Sequence, residues 1–125
     1  MYSGPVTILR DGERMHIGVD TRPDGVIVLR PEGRLDLATA GELKECVATT
    51  VSGSQARLVI DLADVPFIDS SGLGALISGL KSARLAGGDL RIANPSEQAK
   101  LILQLTALER VMRPYSSLEE ALADF

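Results

Sequence analysis

Two rhythms of apolar residues divide the chain into candidate strands and helices. Gly25-Val26-Ile27-Val28-Leu29-Arg30 is a short β-branched run, and Met15 to Asp20 alternates weakly before it. Pro23-Asp24-Gly25 between them is a turn signature, so an antiparallel hairpin is expected. Arg57-Leu58-Val59-Ile60-Asp61-Leu62 is too uniformly apolar, up to Asp61, for a strand with one wet face and reads as a central strand. Helical spacing appears first in Ala40, Leu43, Val47 and Val51, predicting a helix from about Ala38 to Val51 with Thr39 and Glu42 as a capping box. Ser52-Gly53-Ser54 stops it. Leu73, Leu76, Ile77, Leu80 and Ala83 predict a second helix, about Ser71 to Ala86, ended by Gly87-Gly88.

Leu90-Arg91-Ile92-Ala93 is the next strand, and Asn94-Pro95-Ser96-Glu97 resembles a cap, a proline at the first helical position and an acid in the first turn of a helix running to about Leu105. Leu108 to Val111 reads as a short turn or strand lead-in, and Ser116-Ser117-Leu118-Glu119-Glu120 starts a last helix. Pro5 to Arg10 is open between an edge strand and a loosely held arm, because Asp11-Gly12-Glu13-Arg14 interrupts it. From Arg57 onward strands and helices alternate with short connections, which implies mainly parallel pairing. The expected fold is a small α/β layer with a mixed sheet of about four or five strands and about four helices. Residues 15–123 form the domain, 1–14 an N-terminal extension or edge strand, and 124–125 a tail.

With 125 residues the chain supports one cooperative core. Two Phe, two Tyr and no Trp leave that core to Leu, Ile, Val and Ala. The net charge of -4 and the lack of a dense basic cluster disfavour nucleic-acid binding. Arg110 and Arg113 are too sparse a pair to imply anion recognition. The lone Cys46 has no partner for an internal disulfide and fits a reducing compartment. No charged segment followed by an apolar core opens the chain, and no run reaches about eighteen apolar residues, so a cytoplasmic protein without membrane insertion is expected.

The candidate chemistry lies in Val65-Pro66-Phe67-Ile68-Asp69-Ser70-Ser71-Gly72-Leu73-Gly74, between a strand and a helix start. Ser70 could be an acyl-transfer nucleophile, a phosphorylation site or a cap. A nucleophile needs a base, yet His16 is the sole histidine and sits on an ordinary strand, and the loop is not a Gly-x-Ser-x-Gly elbow. Gly72-Leu73-Gly74 lacks the remainder of a phosphate-binding loop. Asp36, Asp61, Asp64 and Asp69 lack the dense spacing of a calcium loop, and one Cys with one His makes no zinc cluster. No metal or cofactor is expected. The Asp69 carboxylate reads either as an acceptor for nearby backbone N–H groups or as the group that presents Ser70.

Phe67-Ile68-Asp69-Ser70-Ser71-Gly72-Leu73-Gly74, with Gly33-Arg34-Leu35-Asp36 before it and Gly87-Gly88-Asp89-Leu90-Arg91 after it, resembles the STAS domain family, and within it the bacterial anti-sigma factor antagonists. The resemblance covers about Met15 to Ala123. It implies partner switching without enzymatic activity in this chain. An unphosphorylated antagonist binds an anti-sigma factor that is also an ATP-using serine kinase and releases a sigma factor; phosphorylation by the kinase ends binding, and a serine phosphatase restores it. The family's phosphorylation site maps to Ser70, the first serine after Asp69. Asp36 matches an acidic residue of the neighbouring loop, and Thr39 follows the family pattern, whereas Arg34 departs from it. The implied binding face is Asp36, Leu37, Thr39, Asp69, Ser70, Ser71, Gly72 and Leu73. A regulatory or scaffold subunit of a transport or stress-signalling assembly is the alternative, and a small hydrolase using Ser70 a remote one.

Overall fold

Six strands join in one sheet whose spatial order follows their order in the chain. The computed structural model describes residues 5–8, 15–52 and 56–125. Its strands are β1 (Pro5–Ile8), β2 (His16–Thr21), β3 (Ile27–Glu32), β4 (Arg57–Asp61), β5 (Asp89–Ala93) and β6 (Pro114–Tyr115). The helices are α1 (Ala40–Ser52), α2 (Ser70–Leu85), α3 (Glu97–Leu105) and α4 (Leu118–Leu122), with a 3₁₀ turn at Leu108–Arg110. The first three strands pair antiparallel and the rest parallel, giving the expected mixed sheet.

The sheet is wider than a count of four or five strands because both edges are short. β1 is the edge strand left open by the sequence, paired with β2 from Pro5 opposite Asp20 to Ile8 opposite Ile17. β6 has only two residues. β3 runs on through Pro31 to Glu32, past the end expected at Arg30. Its pairing with β4 stops at Leu29 while that with β2 continues to Glu32, so Pro31 lies where its missing N–H costs no bond to β4. The hairpin turn forms as expected: Gly25 takes φ +92°, and the Val26 N–H donates to Asp24 Oδ1 at 3.1 Å.

Alternation along the strands separates two cores. Leu58 and Ile60 of β4, with Ile27, Leu29, Leu90 and Ile92, face a layer made by α1, α2 and α3 through Leu43, Val47, Leu76, Leu80 and Leu103. Val28, Val59 and Ala93 face the opposite side, under Ala121, Leu118 and Leu122 of α4. Aliphatic residues dominate both, as the composition requires. α2 closes in a Schellman motif. Gly87, at φ +88°, donates to the Arg84 carbonyl at 3.0 Å, and Gly88 donates to that of Ala83 at 2.9 Å.

Three local expectations shift. Asn94 is not the cap of α3. It adopts φ +55° and donates to Asp61 Oδ1 at 3.0 Å, while Ser96 caps the helix by accepting from the Ala99 N–H. The Thr39 hydroxyl turns back onto the preceding loop instead of forward into a capping box, and α1 starts at Ala40. The last two residues are not a free tail: the Phe125 carbonyl accepts from Arg57 at 2.6 Å, and its ring lies 4.2 Å from the Arg91 guanidinium.

Candidate functional site

Two loops meet at the N-terminus of α2. Leu35 and Ile68 form an isolated parallel bridge: the Leu35 N–H donates to the Phe67 carbonyl at 2.9 Å, and the Asp69 N–H to the Leu35 carbonyl at 3.2 Å. Both apolar side chains are buried to 1% exposure or less. Chain segments more than thirty residues apart are thereby held side by side, with Asp36 and Leu37 leaving one and Asp69 and Ser70 leaving the other.

Asp69 caps α2, and its Oδ1 accepts from the Gly72 N–H at 3.0 Å. Of the two readings of this carboxylate, the backbone-acceptor role is therefore present. Ser70 becomes the first helical residue and is exposed; Ser71 is half-buried. The N–H groups of Ser70 and Ser71 have no intrahelical acceptor at this position, and the dipole of a 16-residue helix adds partial positive charge there. Gly72 is the point of closest approach. A Cβ on it would lie 2.3 Å from the Leu35 carbonyl oxygen and 2.9 Å from side-chain carbons of Ile68 and Leu35.

The neighbouring loop is ordered by its own polar groups. The Asp36 N–H donates to Thr39 Oγ1 at 3.0 Å, the Thr39 hydroxyl donates to the Arg34 carbonyl at 2.7 Å, and Asp36 Oδ1 accepts from the Ala38 N–H at 3.0 Å. Leu37, held at the turn, is 81% exposed. The residues singled out from the sequence thus separate by depth. Leu37 and Ser70 are exposed, Asp36, Asp69 and Ser71 are half-buried, and Thr39, Gly72 and Leu73 are buried beneath them.

Two supporting residues have no role assigned from the sequence at this site. Gln98 of α3 grips the loop from behind: the Ile68 N–H donates to its Oε1 at 2.9 Å, and its Nε2 donates to the Ile68 carbonyl at 2.7 Å. Arg34 lies over the Phe67 ring at 4.1 Å and reaches Asp36 Oδ2 at 3.6 Å. Arg34, which departs from the family pattern, connects both loops.

The other candidate groups are occupied elsewhere. His16 Nδ1 faces Glu32 at 3.4 Å. Asp61 accepts from Asn94 and the Ala63 N–H and lies 3.5 Å from Arg30 Nε. Among the described residues no three His, Cys, Asp or Glu side chains gather as a metal site, and no helix is long and apolar enough to cross a membrane.

Comparison with known proteins places this geometry in a family. The STAS domain model matches residues 19–121. The anti-sigma-B factor antagonist of Bacillus subtilis is 30% identical over 99 residues, covering 78% of this chain and 90% of that protein. An anti-sigma-F factor antagonist of Mycobacterium tuberculosis is 31% identical over 101 residues, covering 79% of this chain and 80% of the relative. A crystal structure of an anti-sigma factor antagonist from Mycobacterium paratuberculosis superposes with a TM-score of 0.77 at 28% identity, over 91% of this chain and 96% of that one. The family model, the sequence relatives and the superposition agree, and the chain belongs to the STAS domain family.

Proposed function

We propose that this protein is an anti-sigma factor antagonist whose binding is switched by phosphorylation of Ser70. It docks through Asp36, Leu37, Asp69, Ser70 and Ser71 onto an anti-sigma factor that is also a serine kinase, and so releases a sigma factor. A serine phosphatase regenerates the binding form. The chain serves as binding partner and kinase substrate, so the nucleotide and the catalytic base belong to the kinase. The observation that carries this reading is the exposed Ser70 at the first turn of α2, with an exposed leucine on the loop paired to it, in a chain whose relatives are anti-sigma factor antagonists. Thr39, Gly72 and Leu73, assigned to the face from the sequence, act beneath it as shape-setting residues.

Phosphorylation adds about -1.5 to -2 charges at Ser70. The free N–H groups of the first turn suit the phosphate within the fold. A partner fitted against the same surface meets added negative charge next to Asp36 and Asp69 and must desolvate it. Local electrostatics therefore suffices to end binding.

The test is incubation with the co-purifying anti-sigma kinase and ATP, followed by peptide mass analysis. Phosphate on Ser70 is expected, and phosphate exclusively on Ser71 overturns the assignment. Ser70→Ala should bind the anti-sigma factor like the wild type. Ser70→Asp should bind at least about tenfold more weakly. Recovery of a transporter assembly with no anti-sigma factor would replace the reading.

A further inference from the structure

A second site lies at the far end of α2. The helix separates Ser70 from Arg84 by about 21 Å of rise, so a phosphate on Ser70 does not reach this end within one molecule. β6 pairs with β5 only at Ile92 and Ala93. Beside the uncovered Asp89–Arg91 half of β5 is a cavity of about 320 Å³, walled by Arg84, Asp89, Arg91, Arg110, Arg113 and Tyr115. Four arginines and one acidic residue thus line it, in a chain whose net charge is -4.

The four cations are not equivalent. Arg84 pairs with Asp89 at 3.2 Å. Arg91 is committed to the fold, donating to the Ala121 and Ala123 carbonyls at 2.9 Å and packing on the Tyr115 and Phe125 rings. Arg110 and Arg113 are exposed, with no ion pair or side-chain hydrogen bond to any described residue. Between them Met112 is buried to 2% in the core, and its N–H donates to the Leu108 carbonyl at 2.9 Å. That anchor fixes the backbone from which Arg113 projects. At this sheet edge Asp89 Oδ1 accepts from the Leu90 N–H at 2.9 Å, so that donor is not offered to an added strand. What fits is a compact anion that supplies the acceptors the free guanidinium forks lack.

We propose that this cavity binds a small, multiply charged oxyanion, a polyphosphate or a polycarboxylate, with Arg110 and Arg113 as its principal ligands and Arg84 released from Asp89 as a third. The volume lies at the lower end of small-ligand sites.

Titration calorimetry of the full chain with pyrophosphate and, separately, citrate tests this at matched ionic strength, with amide NMR shifts as a map. Saturable binding of at least one anion is expected, with shifts at Asp89–Arg91 and Val111–Tyr115; the tighter of the two identifies the oxyanion class. Arg110→Ala/Arg113→Ala removes two exposed, unpaired side chains and should weaken binding by about tenfold or more with unchanged circular dichroism. Asp89→Asn keeps an acceptor for the Leu90 N–H but removes the one carboxylate, and should tighten binding by about threefold or more. Shifts that merely follow ionic strength, binding unaffected by the double substitution, or shifts centred on residues 67–73 would overturn the proposal.

Discussion

Leu37 and Gly72 adjoin the same surface under opposite constraints. Leu37 is 81% exposed and contributes little to the fold, so its apolar surface is available to a partner. Leu37→Ala should leave the melting temperature within about 1–2 °C of the wild type, since surface changes away from such features cost little. The same substitution should weaken anti-sigma factor binding by about 1–2 kcal/mol, measured by calorimetry, if the leucine is an anchor of the proposed interface. Gly72 has no room for even a methyl group against the Leu35 carbonyl. Gly72→Ala must push the two loops apart and should lower stability by about 1–3 kcal/mol in urea unfolding. Binding should fall with it, because Asp36 and Ser70 lose their relative placement. Ser70 needs exposure, whereas Asp69 needs its bond to the Gly72 N–H.

α2 connects the two ends of the protein. Asp69 caps its start, the Gly87-Gly88 turn closes its end, and Leu73, Leu76, Leu80 and Ala83 bury one face against the sheet. Its start is held in register by another helix. Gln98 of α3 meets both backbone groups of Ile68, much as a neighbouring strand would. Gln98→Ala leaves those groups without their partner and should cost about 1–3 kcal/mol. Faster amide exchange at Ile68 and Asp69 than at the strands β4 and β5 would check the assignment to this loop. Helix spacing in the sequence identifies α2, and a start pattern at residues 94–97 identifies α3, but the clamp arises from a contact between residues thirty positions apart.

For the molecule taken together, the proposed phosphorylation of Ser70 implies a switch without rearrangement. Ser70 is exposed at the start of α2, outside both cores, where an added phosphate would meet free N–H groups and solvent. Amide shifts on phosphorylation should concentrate at residues 33–39 and 67–74 and leave the strands unmoved. Widespread changes across β3, β4 and β5 would require a global conformational switch instead. The Arg110–Arg113 cavity should be silent in the same experiment, since α2 spans the distance between them.

What can be read from the chain alone follows from local geometry. Side-chain alternation and helical spacing encode backbone conformation and the inward face, which is why the element order, the hairpin, the end of α2 and the serine-bearing helix start are legible before any coordinates. Family resemblance adds the choice of Ser70. Contacts between distant segments are encoded nowhere locally. The parallel register that sets Leu35 beside Ile68, the depth that separates Leu37 from Thr39 and Leu73, and the Gln98 clamp all arise when strands pair and helices pack. The same holds for the arginines. Arg110 and Arg113 are a sparse pair in sequence and become two walls of a cationic cavity only when β5 brings Arg91, and the end of α2 brings Arg84, to the same edge of the sheet. Charge density and closeness of approach are properties of three-dimensional space, and a linear pattern specifies neither until the chain has folded.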